Sequence, residues 1–485
     1  MDTRKKNIVM ALMVAMFLGA VEGTVVTTAI PTIVKDLHGF EIISLVFSIY
    51  LLTSAISTPI YGKLSDLYGR KNVLSIGIVI FLVGSILCGL SKSMYMLIAF
   101  RALQGLGAGS IFTVTYTIIG DEFSLEERPK VQGSIGTVWG VASLLGPFLG
   151  GFLINVLSWH WIFFINIPFG ILSIVLLQRS LKENFEKKKV KIDFTGIIVL
   201  SMAMMIFLNI FLDSGNFGIQ KNLFIILSIF GTVLLLILFY FIERNAKEPI
   251  IPFEIFAKTI INVNIISFLL SAILIGVDVY MSIYIQNILG FSPTISGLAM
   301  APMSVAWLMS SVILGKCIMS HGEKFVIMLS VFILFISTLL FATLNVHSSL
   351  LLVVLFSFVM GFGLGGAFTT LTIVVQTAVE YNKRGAATAT NSLLRTLGQT
   401  IGVSIFGGIF NADIVNYFNK IGINGVDNHN LYTTASDVGV TGDQIKLSLD
   451  SATHIIYVIF ILIATLCLIL AFVLPKVIRK KFVEL

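Results

Sequence analysis

Four charged side chains stand where the sequence leaves them little water. Glu22 lies 14 residues past Ile8 in an apolar run reaching to about Val34, roughly 21 Å along a helix rising 1.5 Å per residue. Asp278 is the only acid in the run 259–288, with Tyr280 and Tyr284 close by in sequence. Arg101 and Arg395 interrupt two further runs, and Arg395 belongs to a polar string of Thr388, Thr390, Asn391, Ser392, Thr396 and Gln399. Ionisable groups inside membrane-length helices are costly and mark ion or substrate pathways by default. A carboxylate there can hold a proton and a cation in turn, so Glu22 and Asp278 are expected to bind both. The competing reading of Glu22 is a carboxylate satisfied by Thr hydroxyls, and of Asp278 a structural bond to a neighbouring Tyr or Asn. Arg395 is expected to pair with Asp278 or a substrate carboxylate, or else to be structural. Trp139, Trp307 and Tyr50 offer ring faces to flat cations. Tyr280, Tyr284, Trp139, Asn391 and Arg395 join the two acids as the expected substrate contacts.

Only a lipid-spanning scaffold can hold such residues. The chain has 485 residues, 56% hydrophobic and 12% charged, with a mean hydropathy of +0.98. A soluble domain carries about a quarter charged residues, so lipid must be the solvent for most of this chain. Apolar runs predict spans at 8–33, 42–61, 72–91, 95–118, 131–155, 159–178, 194–212, 222–242, 259–288, 294–315, 325–345, 348–376, 385–411 and 453–475. Each is near the length a crossing needs, about 20 residues. The count of fourteen puts both termini on one side. With that side cytoplasmic, inside segments hold twenty-five of the 32 Lys and Arg, and outside loops only Lys35, Lys92, Lys221, Lys420 and Lys446. That is the bias of the positive-inside rule. Arg4-Lys5-Lys6 precedes a first run too long for a signal peptide, which predicts a retained helix. The outside segment 412–452 is expected to be a long loop. Ile414, Phe418 and Ile421 extend the preceding helix, while Ile445, Leu447 and Leu449 alternate as in a strand, with Gly442-Asp443 as a turn.

Several motifs punctuate these spans. The turn after the second reads Gly62-Lys63-Leu64-Ser65-Asp66-Leu67-Tyr68-Gly69-Arg70-Lys71, an acid within a basic loop, with glycines that permit unusual backbone angles. The fourth span holds Arg101-Ala102-Leu103-Gln104-Gly105. The fifth holds Gly136, Gly140 and Gly146-Pro147-Phe148-Leu149-Gly150-Gly151, small residues that let helices approach closely. Trp159-His160-Trp161-Ile162-Phe163-Phe164-Ile165-Asn166-Ile167-Pro168 opens the sixth, and Glu22-Gly23-Thr24 to Ile30-Pro31 lies in the first.

Together these strings resemble the major facilitator superfamily over nearly the whole chain. The Gly62–Lys71 turn resembles its G-x-L-a-D-r-x-G-r-k signature, and Arg101 to Gly105 its R-x-x-Q-G motif, where the arginine is linked to proton coupling. Gly146, Pro147, Gly150 and Gly151 are similar to the G-P-x-x-G-G signature of its antiporters. Glu22 to Pro31 and Trp159 to Pro168 resemble motifs of its fourteen-helix drug:proton antiporters of the quaternary-ammonium and multidrug type, with Glu for the usual Asp and His160 for the usual Arg. So do Tyr280 to Pro302 and Arg384 to Gly407. The resemblance implies an all-α polytopic protein of two six-helix bundles related by inverted repeats. It places an N-terminal bundle at 1–178, a basic linker and two extra helices at 179–258, and a C-terminal bundle at 259–485. It implies Gly62, Asp66, Gly69 and Arg70 as a conformational-switch loop. It implies Glu22 and Arg101 for proton coupling, and Asp278 joins them as the one acid inside its span. The implied activity is proton-driven export of lipophilic, often cationic compounds by a monomer in a bacterial cytoplasmic membrane. The alternative is a specific metabolite or lipid-precursor carrier of the same fold.

Other classes are poorly served. The net charge of +7 lies in loops and gives no basic helix for nucleic acid. Cys88, Cys317 and Cys467 are far apart, no CxxC or HExxH occurs, and no metal or cofactor is expected. No convergent nucleophile and base suggest an enzyme, and no G-x-x-x-x-G-K-[ST] loop suggests ATP hydrolysis. The expected partners are the bilayer, protons and small organic substrates.

Overall fold

The computed structural model describes residues 2–37, 43–183, 193–212, 219–246, 249, 251, 253, 257–423 and 440–475. The order is α1 (Thr3–Leu37), α2 (Ile43–Tyr68), α3 (Arg70–Gly89), α4 (Met94–Glu122), α5 (Arg128–Val156), α6 (Trp161–Phe164), α7 (Asn166–Ser180), α8 (Phe194–Leu212) and α9 (Ile219–Asn245). It continues with α10 (Lys258–Ile283), α11 (Pro293–His321), α12 (Glu323–Phe341), α13 (Leu350–Thr377), α14 (Arg384–Lys420) and α15 (Gly442–Val473). A π-turn, Tyr284–Ile288, extends α10. Helix boundaries follow local chemistry. Ser93 and Ser292 accept the Met96 and Ile295 amides to cap α4 and α11. Gly69 (φ +90°) and Gly322 (φ +82°) make one-residue turns that only glycine adopts readily.

Among the described residues twelve helices are long and apolar enough to cross a membrane, where the sequence suggests fourteen. The expected spans outside the twelve are 131–155, which falls on the 29-residue α5, and 194–212, on α8, whose described apolar stretch is Thr195–Phe207. The strand and turn expected near 442–449 are absent: that segment is the first part of α15. Thr441 accepts the Gln444 amide while Gln444 Oε1 accepts the Thr441 amide. This reciprocal capping fixes the first helical turn despite the alternating pattern. The helix extending past 411 ends at Lys420, with Ile414 and Phe418 fully buried. The middle of the long outside loop, 424–439, lies outside the described residues.

The chain forms two compact units. One gathers Met1–Ile261 with Thr372–Leu393; the other gathers Asn262–Leu371 with Leu394–Lys476. In the first, α4 is wedged between α2 and α3. A Cβ on Gly105 would lie 2.4 Å from Tyr50 O, one on Gly109 2.7 Å from Ser54 O, and one on Gly107 2.4 Å from the Phe81 amide. In the second, α13 is wedged likewise. Gly361 and Gly365 abut Met303 and Trp307 of α11, while Gly363 and Gly366 abut Leu334 and Ser330 of α12. Small residues admit this backbone approach, and each wedge holds by dispersion and hydrogen bonds.

Candidate functional site

Glu22 sits at the centre of a closed polar cluster in the first unit. One carboxylate oxygen is ion-paired with Arg101 of α4, and the other accepts the Asn166 amide of α7 at 2.8 Å. Arg101 also donates to Gln104 Oε1 (2.7 Å) and to Val46 O (3.1 Å), with its guanidinium 4.3 Å over the Tyr50 ring. Ser85 closes the ring, accepting from Gln104 Nε2 (2.6 Å) and Asn166 Nδ2 (3.1 Å). Glu22 and Arg101 are each 1% exposed. A buried ion pair is tolerated only when further hydrogen bonds satisfy its remaining atoms, which Asn166, Gln104 and Ser85 provide. Asn166 reaches the pair because the chain breaks at Ile165, and Pro168 in the first turn of α7 suits a helix start. Tyr50 therefore backs Arg101, rather than offering its face to a flat cation as the sequence suggests. Thr24 donates to Val21 O and Ala142 O.

A second charged cluster surrounds the Gly62–Lys71 turn. Arg70 donates to Asp66 (2.8 Å), Asp121 (2.8 Å), Ser65 O and Tyr381 O, and stacks on the Tyr381 ring at 4.2 Å. Asp66 accepts the amides of Gly385 (3.0 Å) and Ala386 (2.9 Å) at the start of α14. Asp121 also accepts from Arg384 at 2.5 Å. Gly62 lies against this helix start, since a Cβ there would meet Ala389 and Gly385 O at 2.3 and 2.9 Å. Gly69 faces Glu183, whose carboxylate accepts the Arg70 and Lys71 amides and caps α3. Asp121 and Tyr381 carry no weight in the sequence reading, and Arg384 enters it only as the start of the string to Gly407. The one available signal was an acid at the end of the fourth apolar run.

Within the glycine string of α5, Gly146 explains itself: a Cβ there would lie 2.0 Å from Thr24 Oγ1 of α1. Gly151 faces open space, and the helix is continuous through Pro147 and Gly150. Trp139 is 44% exposed and stacks on Phe112 at 5.7 Å. His160 lies flat on Trp159 at 3.8 Å, and Trp159 donates to Asp36 at 2.8 Å. Asn391 is buried within the first unit.

In the second unit the expected set does not converge. Asp278 is exposed, and its carboxylate has no hydrogen-bond or ion-pair partner among the described residues. Tyr280 turns inward onto Phe406 and Phe410, and buried Tyr284 donates to Asn345 O at 2.7 Å. Neither tyrosine offers a surface beside Asp278: both are buried, and at 100° per residue they lie about 200° and 240° around the helix from it. The suggested Arg395–Asp278 pair is also ruled out by register. Gly398 and Gly402 of α14 pack at Phe268 and Ala272 of α10. Continuing that step puts Arg395 level with Ile265, about 20 Å of helix rise from Asp278. Arg395 instead lies 4.0 Å over the Phe368 ring, which stacks on Trp307. Among the described residues no group of three or more His, Cys, Asp or Glu side chains could hold a metal.

Paired helical wedges and ion pairs sealed inside membrane-length helices define a multi-pass membrane carrier. The family model described as Major Facilitator Superfamily matches residues 12–403, and the chain belongs to that superfamily. It is a transporter and not an enzyme. The chain is 36% identical over 411 residues to Multidrug resistance protein 3 of Bacillus subtilis (strain 168), covering 83% of this chain and 79% of that one. It is 30% identical over 431 residues to Multidrug efflux pump SdrM of Staphylococcus aureus (strain N315), covering 86% and 93%. Among solved structures, the human organic anion transporter MFSD10 (TETRAN) superposes with a TM-score of 0.67 at 13% identity, over 97% of this chain and all of the other, a likeness of fold alone.

Proposed function

We propose that this protein exports lipophilic, often cationic drugs across a bacterial cytoplasmic membrane in exchange for protons. The relatives named as multidrug proteins support the substrate class. The observation that carries the proton reading is the Glu22–Arg101 pair with its ring of Asn166, Gln104 and Ser85. A carboxylate sealed in a span can release its partner only by taking a proton. Arg101 keeps Gln104, Val46 O and the Tyr50 ring when it does but loses its counter-ion, so protonation destabilises the closed cluster. Asp278, exposed and with no partner for its carboxylate among the described residues of the second unit, suits a cationic substrate or a second proton. The Asp66–Arg70–Asp121 cluster suits a latch at the conformational switch.

In this reading α5 and α8 also cross the bilayer, giving fourteen spans: six in each bundle and an extra pair between them. Both termini are cytoplasmic, the protein acts as a monomer, and the proton gradient is its energy source with no cofactor. The test is proton movement in inverted, energised membrane vesicles on adding ethidium. Wild type should dissipate the pH gradient and Glu22→Gln should not. No response to a broad panel of cations, zwitterions and neutral drugs would sink drug antiport and favour a narrow metabolite carrier.

A further inference from the structure

Gly19 and Gly23 lie four residues apart on one face of α1, one turn apart. Over Gly19 the space is filled: a Cβ there would lie 2.6 Å from Phe112 Cζ. Over Gly23 no described residue comes within 4 Å of such a Cβ, and Gly23 is exposed although it adjoins buried Glu22 near mid-span. Phe112 in turn stacks on Trp139, with 5.7 Å between centroids and 25° between planes. Thr24 bonds to Ala142 O, so α1 and α5 run together here and Trp139 comes level with Gly19. The exposed face of Trp139 is not the outer apolar face of α5. That face is the stripe Val141, Leu145, Phe152 and Val156, all exposed at helical spacing. Trp139 lies two residues before Val141, about 200° around the helix at 100° per residue.

An open space thus stands one turn from a stacked aromatic pair and beside a buried carboxylate. Ring faces carry partial negative charge and favour a cation in a low-dielectric setting. Arg101, at this level of α4, is already engaged by Glu22, Gln104, Val46 O and Tyr50. We propose that the space over Gly23, floored by Phe112 and Trp139, seats the planar aromatic part of an exported cation. This rests on the drug-export reading and adds shape to it. The seat selects flat ring systems, and Gly19 sets its floor by holding the Phe112 ring in place.

The experiment compares ethidium, which is planar, with tetraphenylphosphonium, whose four rings cannot lie in one plane. Export is measured in inverted vesicles, and ethidium binding by fluorescence on the purified, detergent-solubilised full chain. Gly23→Leu puts a side chain into the space where a Cβ meets no described residue within 4 Å, and Trp139→Ala removes half the floor. Each should raise KM and Kd for ethidium about tenfold, the scale of a lost aromatic stack, and leave tetraphenylphosphonium within about twofold. Trp139→Phe should stay close to wild type. Equal losses for both cations, or none for ethidium, overturn the seat. A wild type that exports neither cation defeats the drug-export reading instead. The seat is then decided by binding alone, and stands only if wild type binds ethidium and Gly23→Leu weakens it.

Discussion

The carboxylate of Asp66 and the backbone amide of Ala386 are joined at 2.9 Å although 320 positions separate them in the chain. With the Gly385 amide at 3.0 Å, Asp66 occupies the amino-terminal end of α14, where free amides and the helix dipole favour an anion. Asp66→Asn keeps the shape and removes the charge. Two charge-assisted bonds and the Arg70 pair weaken together, a loss of about 2 kcal/mol. The melting temperature in detergent should fall, and the initial export rate should drop about tenfold at unchanged substrate Kd. An unchanged rate would mean that this contact is not part of the transport cycle.

Glu22→Gln leaves Arg101 buried without its counter-ion, which typically costs 3–5 kcal/mol, roughly. Replacing both partners, Glu22→Gln with Arg101→Gln, removes the stranded charge as well. Denaturation of the detergent-solubilised protein should show the single variant clearly destabilised and the double variant largely recovered. Neither should move protons. A double variant less stable than the single one would contradict a pairing role.

Asp278 carries no partner to lose among the described residues, so Asp278→Asn should leave stability within about 0.5 kcal/mol of wild type. Export of cationic substrates should still fall, about tenfold. Asp278 and Arg395 are too far apart to couple directly, so their free-energy effects should add within about 0.5 kcal/mol. A coupling well above that would overturn the register drawn from Gly398 and Gly402.

The wedge of α4 makes Gly109→Ala costly. Its Cβ would stand 2.7 Å from Ser54 O, and overpacking against backbone costs about 1–3 kcal/mol. Gly231→Ala in α9, whose Cβ would meet no described residue within 4 Å, should be neutral or slightly stabilising. Detergent melting curves for the pair would separate packing from a general effect of glycine loss.

Much of this was legible from residue chemistry. Glu22 and Arg101 stood out because charges are rare at such depth, and the Gly62–Lys71 turn because its pattern is long. Their partners were less visible. Gln104 stands one turn from Arg101 in the same motif and Asn166 within the Trp159–Pro168 string, but with Ser85 they are neutral and come from three helices, so local sequence does not show that they meet. Asp121, Tyr381 and Arg384 meet Arg70 only through tertiary packing. The alternation at 445–449 imitates a strand, and the cap that decides the matter, Thr441 with Gln444, is a two-residue signal three positions apart. Tyr280 and Tyr284 were grouped with Asp278 by nearness in sequence, whereas helical geometry turns them to another side.

Arg101 and Asp121 lie on the same helix, roughly 30 Å apart along its axis. Backbone-to-backbone contacts at Gly105, Gly107 and Gly109 leave α4 no slack against α2 and α3. In mechanical terms the three helices form a stiff push-rod with a charged clevis at each end. One end grips the Glu22 carboxylate, and the other shares Asp121 between Arg70 and Arg384. The close approaches at Gly105, Gly107 and Gly109 thus tie the two charged sites into one packed block.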